Sequence, residues 1–238
     1  MKFDPPLREA RLVQRYKRFL ADAELADGRV VTMHCPNTGA MSGCAEPGSR
    51  IWYWDSGNPR RKYALTWELI EVRDGSLVGI NTLRANRLVK EALTSGNLPG
   101  FRDYEDVRSE VAVQHSVASG RIDFRLRAPG RPDCYLEVKS VTLGSSRGLG
   151  LFPDAPSERA RRHLAILSDL ALKGFRAVLF YCAQHTGIRR ISPAERIDPE
   201  YAEALRHAVA SGVEVVACGV RISPERIEIG SALPIGPG

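Results

Sequence analysis

Arg121-Ile122-Asp123-Phe124-Arg125-Leu126-Arg127 and, after a short break, Cys134-Tyr135-Leu136-Glu137-Val138-Lys139-Ser140-Val141 decide the fold. Side chains alternate along a strand. In the first segment Ile122, Phe124 and Leu126 share one face, while Asp123 shares the other with Arg121 and Arg125. In the second, Leu136 and Val138 face the core, and Glu137 and Lys139 lie opposite. The connection Ala128-Pro129-Gly130-Arg131-Pro132-Asp133 is short and rich in turn residues, so two antiparallel neighbours are predicted.

Downstream, the pattern predicts a helix from Ser157 to Lys173 closed by Gly174, an apolar strand Arg176–Ala183 and a helix Pro199–Ala210. Strands Val213–Val220 and Arg226–Ile229 follow. With a further strand at Val107–His115, this is a mixed α/β unit. Upstream, Leu83 to Thr94 reads as a helix, with Leu83, Leu88, Val89, Ala92 and Leu93 as its apolar face and Gly96 and Pro99-Gly100 ending it.

Before residue 83 the chain reads as short strands: a long one over Arg11–Leu25, then Val30–Cys35, Ile51–Trp54, Tyr63–Val72 and Leu77–Ile80. Turn chemistry at Asp27-Gly28, Pro36-Asn37-Thr38-Gly39, Pro47-Gly48, Ser56-Gly57-Asn58-Pro59 and Asp74-Gly75 separates them. Close-spaced short strands suggest a small barrel of the OB type. The expected division is residues 1–82 and 83–238.

The bulk properties narrow the class. The chain has 238 residues, 43% hydrophobic and 26% charged, an ordinary globular balance. No apolar run is long enough to span a bilayer, and Met-Lys-Phe-Asp-Pro-Pro lacks export-signal form, so a cytoplasmic protein is expected. Net charge is +6 and the pI is about 9.2, compatible with a polyanionic partner. The five cysteines form no C-x-x-C pair and fit neither a zinc site nor a disulfide framework. There is no dinucleotide fingerprint, phosphate-binding Gly-Lys-Ser/Thr loop or nucleophile elbow.

Asp123, Glu137 and Lys139 then carry the chemistry. Two neighbouring carboxylates repel each other and resist desolvation. A divalent cation between them removes the conflict, and Mg²⁺ or Mn²⁺ suits oxygen ligands. A Lys about 6.6 Å further along the strand can orient a water and offset developing charge. Glu110 is a candidate outer ligand. Arg159 and His163, spaced i, i+4, share a helix face and could grip the phosphate. The same residues also suit an exposed charge ladder, with each pair contributing only about 0.2–1 kcal/mol. In the first half, Arg15-Tyr16-Lys17-Arg18-Phe19 interleaves cations with rings, as nucleic-acid-binding barrels do. Asn37 caps the following turn, and Arg121 adds a further phosphate contact. Trp52 and Trp54 suit barrel core or stacking platform.

The chain resembles the sugar fermentation stimulation protein A family. The likeness runs nearly end to end, through Val13–Leu20, His34-Cys35-Pro36-Asn37-Thr38-Gly39-Ala40-Met41-Ser42-Gly43-Cys44, Lys62-Tyr63, Trp67-Glu68-Leu69 and Asn81-Thr82-Leu83 with Ala85-Asn86-Arg87. It continues through Ser109-Glu110-Val111, Arg121–Phe124, Arg131–Tyr135, Glu137–Leu143, Phe152-Pro153-Asp154-Ala155 and Glu158-Arg159. The resemblance implies an OB-like barrel followed by a domain like the PD-(D/E)XK nucleases, and DNA binding with little sequence preference. It also implies a Mg²⁺ site on Asp123, Glu137 and the Val138 carbonyl, and the family is linked to regulation of sugar, especially maltose, metabolism. Ala160 stands where relatives often have Gly, which a helix accepts readily. Two expectations follow: a metal-dependent nuclease acting on DNA or RNA, or a non-catalytic DNA-binding regulator.

Overall fold

A computed structural model of the chain describes residues 1–114, 119–145 and 147–236, so the expected strand end at His115 lies outside the described residues. Five strands close a barrel: β1 (Arg8–Tyr16), β2 (Leu20–Leu25), β3 (Val30–His34), β4 (Arg50–Asp55) and β5 (Leu65–Glu71). β1 pairs with β2 and β4, and β5 closes the ring by pairing with both β4 and β3. β6 (Leu77–Gly79) adds to the free stretch of β5. Alternation fills the interior: Ala10, Leu12, Ile51, Tyr53 and Trp67 pack inward, while Arg11 and Val13 face out.

The expected strand over Arg11–Leu25 is instead a hairpin. Lys17 and Arg18 both have left-handed backbones, φ 49° and 65°. Two such residues in succession reverse a strand tightly, but the usual Asn-Gly signal is absent here. The basic and aromatic run therefore occupies a hairpin tip rather than one strand face. Neither Trp52 nor Trp54 lies in the barrel core: Trp52 packs against the second domain, and half-buried Trp54 donates Nε1–H to the Asp4 carbonyl at 3.1 Å.

α1 (Leu83–Thr94) buries Ala85, Leu88, Val89, Ala92 and Leu93, whereas Leu83 is 74% exposed at its start, against expectation. The remaining elements are β7 (Asp106–Gln114), β8 (Ser119–Arg127), β9 (Cys134–Val141), β10 (Leu143–Gly144), β11 (Leu149–Phe152), α2 (Glu158–Leu172), β12 (Arg176–Ala183), β13 (Arg190–Pro193), α3 (Pro199–Ala210), β14 (Glu214–Ile222) and β15 (Ile227–Ala232). The main sheet runs β15-β14-β12-β9-β8-β7, parallel at β9-β12-β14 and antiparallel towards both edges. β10, β11 and β13 form a small separate sheet. Its strands are too short to show in the sequence pattern.

Two apolar cores flank the main sheet. One joins Leu164, Leu167, Tyr201 and Leu205 of α2 and α3 to Ile122, Leu179 and Tyr181. The other joins Leu88 and Val89 of α1, and Trp52 and Leu69 of the barrel, to Phe124, Leu126, Leu136 and Val138. The barrel is thereby docked on the sheet face away from α2 and α3.

The hairpin β7–β8 changes faces midway. Phe124 and Leu126 pack towards α1, yet Ile122, of the same parity, packs towards α2. Val107 and Val111 differ in the same way. Between them Glu110 has φ 55°, in a gap of the ladder between Ser109↔Phe124 and Val111↔Ile122. A left-handed residue there rotates the strand, and non-glycine residues adopt that conformation at about 1–2 kcal/mol. Glu110→Gly is therefore expected to keep or raise stability by up to about 1 kcal/mol, and Glu110→Val to lower it, in urea unfolding.

Candidate active site

The β8–β9 ladder pairs Leu126↔Cys134, Arg125↔Tyr135 and Phe124↔Leu136, then stops. Asp123 and Glu137 come next, where the strands part and side chains replace ladder bonds. Asp123 Oδ2 accepts the Val138 N–H at 2.7 Å, and Glu137 Oε2 accepts the Asp123 N–H at 3.4 Å. Asn86 of α1 donates Nδ2–H to Asp123 Oδ1 at 2.7 Å. The N–H and C=O of a strand residue leave on the same edge, so the Val138 carbonyl also points into this gap.

Glu137 is 2% exposed. Its Oε1 accepts from Lys139 Nζ at 2.6 Å and also meets His163 Nδ1. Lys139 Nζ is 3.2 Å from the same ring nitrogen. Protonated, Nδ1 donates to Glu137; bare, it accepts from Lys139. The two carboxyl groups consequently diverge. Burial, then the Glu137 charge, push Asp123 up to about 6 against the pull of Val138 N–H, Lys139 and Asn86. Burial also pushes Glu137 up, but the His163 hydrogen bond and the Lys139 charge outweigh it and hold Glu137 below the ordinary carboxylate range.

These groups open into a cleft of about 300 Å³ between the two domains, lined also by Asn37, Thr38, Gly39, Thr82, Asn86, Asp154 and Arg159. The barrel wall, Asn37 to Gly39, is tightly held. The Arg15 guanidinium donates to the carbonyls of Arg18, Asn37 and Gly39 at 2.8, 3.0 and 2.9 Å. Arg18 donates to the Thr38 carbonyl at 2.7 Å. Asn37 is buried and its Oδ1 accepts Gly39 N–H at 2.8 Å, while Asp154 Oδ2 accepts Met41 N–H at 3.2 Å. A Cβ on Gly39 would stand 2.5 Å from Asp154 Oδ2, so a larger residue there would push the Asp154 carboxylate off its present position.

Asp123, Glu137, Val138, Lys139 and Arg159 thus converge on one cleft. His163 is buried behind Glu137, and the Glu110 side chain is exposed and does not line the cleft. Arg15 and Arg18 staple the wall loop. Tyr16 donates its hydroxyl to Asp22 at 3.1 Å, so Lys17 and Phe19 are the members of that run left exposed without such a bond. Arg121 is exposed and lines a neighbouring groove rather than the cleft. Asn86 and Asp154 escaped notice as site residues. Asn86 is a polar position beside buried Ala85 and Val89 on α1, a signal visible in the helix pattern. Asp154 had no such signal, because its role depends on a loop of the other domain, where it accepts the Met41 N–H.

The donor set fits a hard divalent cation. Two carboxylates and a backbone carbonyl face one gap, and the half-buried Asp123 proton is weakly enough held to be displaced near neutral pH. Among the described residues no three His, Cys, Asp or Glu side chains are grouped to hold a metal. Remaining ligand positions would fall to water and phosphate, as Mg²⁺ commonly accepts.

Residues 83–226 match the family model described as the sugar fermentation stimulation protein RE domain, and residues 13–80 match the SfsA N-terminal OB domain. The solved structure of SfsA from Pyrococcus furiosus in complex with Ca²⁺ superposes with a TM-score of 0.87, covering 99% of this chain and 98% of that one at 24% identity. This likeness shows the fold: a closed OB barrel followed by a mixed α/β domain. A second solved protein, of unknown function, aligns over 56% of this chain and 54% of its own at 16% identity with a TM-score of 0.30. No helix among the described residues is long and apolar enough to cross a membrane.

Proposed function

We propose that this chain, which belongs to the sugar fermentation stimulation protein family, binds nucleic acid between its two domains and hydrolyses a phosphodiester bond there with a divalent cation. The observation that carries the reading is the parting of β8 and β9 at Asp123 and Glu137, with Lys139 two residues on. The Pyrococcus relative was solved with Ca²⁺, which shares the oxygen preference of Mg²⁺.

Asp123, Glu137 Oε2 and the Val138 carbonyl would hold the cation. Bound there, Mg²⁺ or Mn²⁺ would polarise the phosphate and acidify the attacking water. Lys139, tethered at Glu137, orients that water and offsets negative charge as it grows. Arg159 at the cleft mouth offers a planar guanidinium to the phosphate oxygens. His163 keeps Glu137 ionised and pointed, and the stapled Asn37–Gly39 wall fixes the opposite side of the cleft. Glu110 contributes through its backbone turn beside Asp123.

Purified protein and Asp123→Ala, incubated with labelled single- and double-stranded DNA and RNA in Mg²⁺ or Mn²⁺, test this directly. Cation-dependent cleavage by the wild type, reduced at least a hundredfold in the variant, is expected. Equal background cutting by both would remove the enzymatic reading. A second reading, a non-catalytic DNA-binding regulator of sugar (maltose) genes, draws support from one feature: Glu137 Oε1 is already taken by Lys139 and His163. It predicts binding that survives EDTA with no cleavage product.

A further inference from the structure

Beside the carboxylate cleft lies a second groove of about 500 Å³, between the β7–β8 hairpin and α2. Its lining is Ala112, Gly120, Arg121, Arg159, Arg162 and His163. Arg159 lines both depressions, so they meet at that side chain. His163 joins them from below: Nδ1 is turned to Glu137, and the ring forms part of the groove wall.

The arginines lining this groove differ from Arg161, their neighbour on α2. On α2, Arg161 pairs with Asp198 at 3.1 Å and with Glu200 at 3.1 Å. Arg159, Arg162 and Arg121 have no carboxylate partner among the described residues, and all three are exposed. Three unneutralised guanidinium groups around one depression leave a local excess of positive charge. Its floor is low because Ala112 and Gly120 present almost no side chain, and a Cβ on Gly120 would meet Ile166 Cδ1 at 2.4 Å. An open floor rimmed by planar, bidentate donors suits phosphate oxygens.

We infer that this groove holds the phosphodiester backbone of the same nucleic-acid strand that enters the carboxylate cleft, with Arg121 and Arg162 contacting phosphates beyond the one gripped by Arg159. This rests on the nucleic-acid reading above and adds the strand's path. The strand leaves the cleft over the first turns of α2 towards the β7–β8 hairpin, not along the barrel's β1–β2 hairpin. There Arg15 and Arg18 are spent on the wall loop.

The test is fluorescence anisotropy of a labelled 12-nucleotide strand, and of the matching duplex, titrated over a series of KCl concentrations in EDTA. Each lost phosphate contact lowers the slope of log K against log salt by about 0.7 on a single strand and about 0.9 on duplex. Arg121→Gln combined with Arg162→Gln is expected to lower it by about 1.4 or 1.8 respectively. Arg121→Lys with Arg162→Lys retains the slope. Arg29→Gln with Arg206→Gln removes the same net charge from arginines paired with Asp27 and Glu195, and leaves the slope unchanged. An unchanged slope in the groove variant, or an equal fall in both Gln pairs, overturns the groove while nucleic-acid binding stands. No binding by the wild type overturns both.

Discussion

Glu137→Ala is expected to lose about 3 kcal/mol of stability at pH 7 in urea unfolding, more than a typical substitution. Glu137 is 2% exposed, and its Oε1 is the carboxylate partner of Lys139, whose side chain is only 11% exposed. Alanine leaves that ammonium partly desolvated and unpaired and opens a polar void beside His163. Adding Lys139→Met to Glu137→Ala should recover part of the loss, because the orphaned cation is then gone. The pH dependence has a definite sign. Glu137 is held below its ordinary range in the folded protein, so its contribution is present above that range and lost as pH falls through it. The gap between wild type and variant should therefore close in acid. A loss below about 0.5 kcal/mol would mean that the buried cluster is not held as described.

Asp123→Asn should act in the opposite direction. In the cation-free protein the Asp123 carboxyl is pushed from 3.8 up to about 6, by burial and then by Glu137. A raised folded value means that the protonated carboxyl favours folding at low pH, and that this advantage disappears as pH rises through about 6. Above that the ionised side chain is a liability of about 3 kcal/mol. In EDTA at pH 8, Asp123→Asn is thus expected to gain stability of that order. The gain should fade towards pH 4, where the native carboxyl is neutral as well. The amide can still accept the Val138 N–H, and Asn86 can turn its oxygen to the new NH₂ group. Adding Mn²⁺ at pH 8 should reverse the order, raising the Tm of the wild type and leaving that of Asp123→Asn unmoved. A variant less stable than wild type in EDTA at pH 8 would show that the two carboxylates do not strain the apo site.

The opposite signs share one cause. Both acids sit in the same gap, but only Glu137 is in direct contact with an ammonium. Lys139 donates to its Oε1 and His163 Nδ1 meets the same oxygen, whereas Asp123 faces a negative neighbour with one amide and one N–H as its bonded partners. On the proposed reading, a cation bound at this gap would relieve the strain at Asp123, the pattern of a residue kept for function rather than for folding.

Much of this was legible in the chain. Helix α1 and strands β9 and β12 could be bounded from apolar periodicity and their Gly and Pro stops, because those signals are local. The nearness of Asp123 to Glu137 followed from the short connection that pairs β8 with β9, not from alternation, which fails between Ile122 and Phe124. The hairpin at Lys17-Arg18 could not be read, because two left-handed residues that are neither Gly nor Asn carry no turn signature. The same holds for Glu110 inside β7.

Alternation and turn chemistry, written residue by residue, determined that Asp123 and Glu137 lie on neighbouring strands and that a barrel precedes a mixed sheet. Tertiary structure decided what those residues do. It ends the β8–β9 ladder one step before Asp123, and sets His163 and Lys139 on one carboxylate while giving the other only Asn86 and the Val138 N–H. It also turns the arginines of the first hairpin onto a wall loop and leaves Arg159 and Arg162 of α2 without a carboxylate partner among the described residues. These outcomes depend on contacts between segments far apart in the chain, whose energies no local pattern encodes.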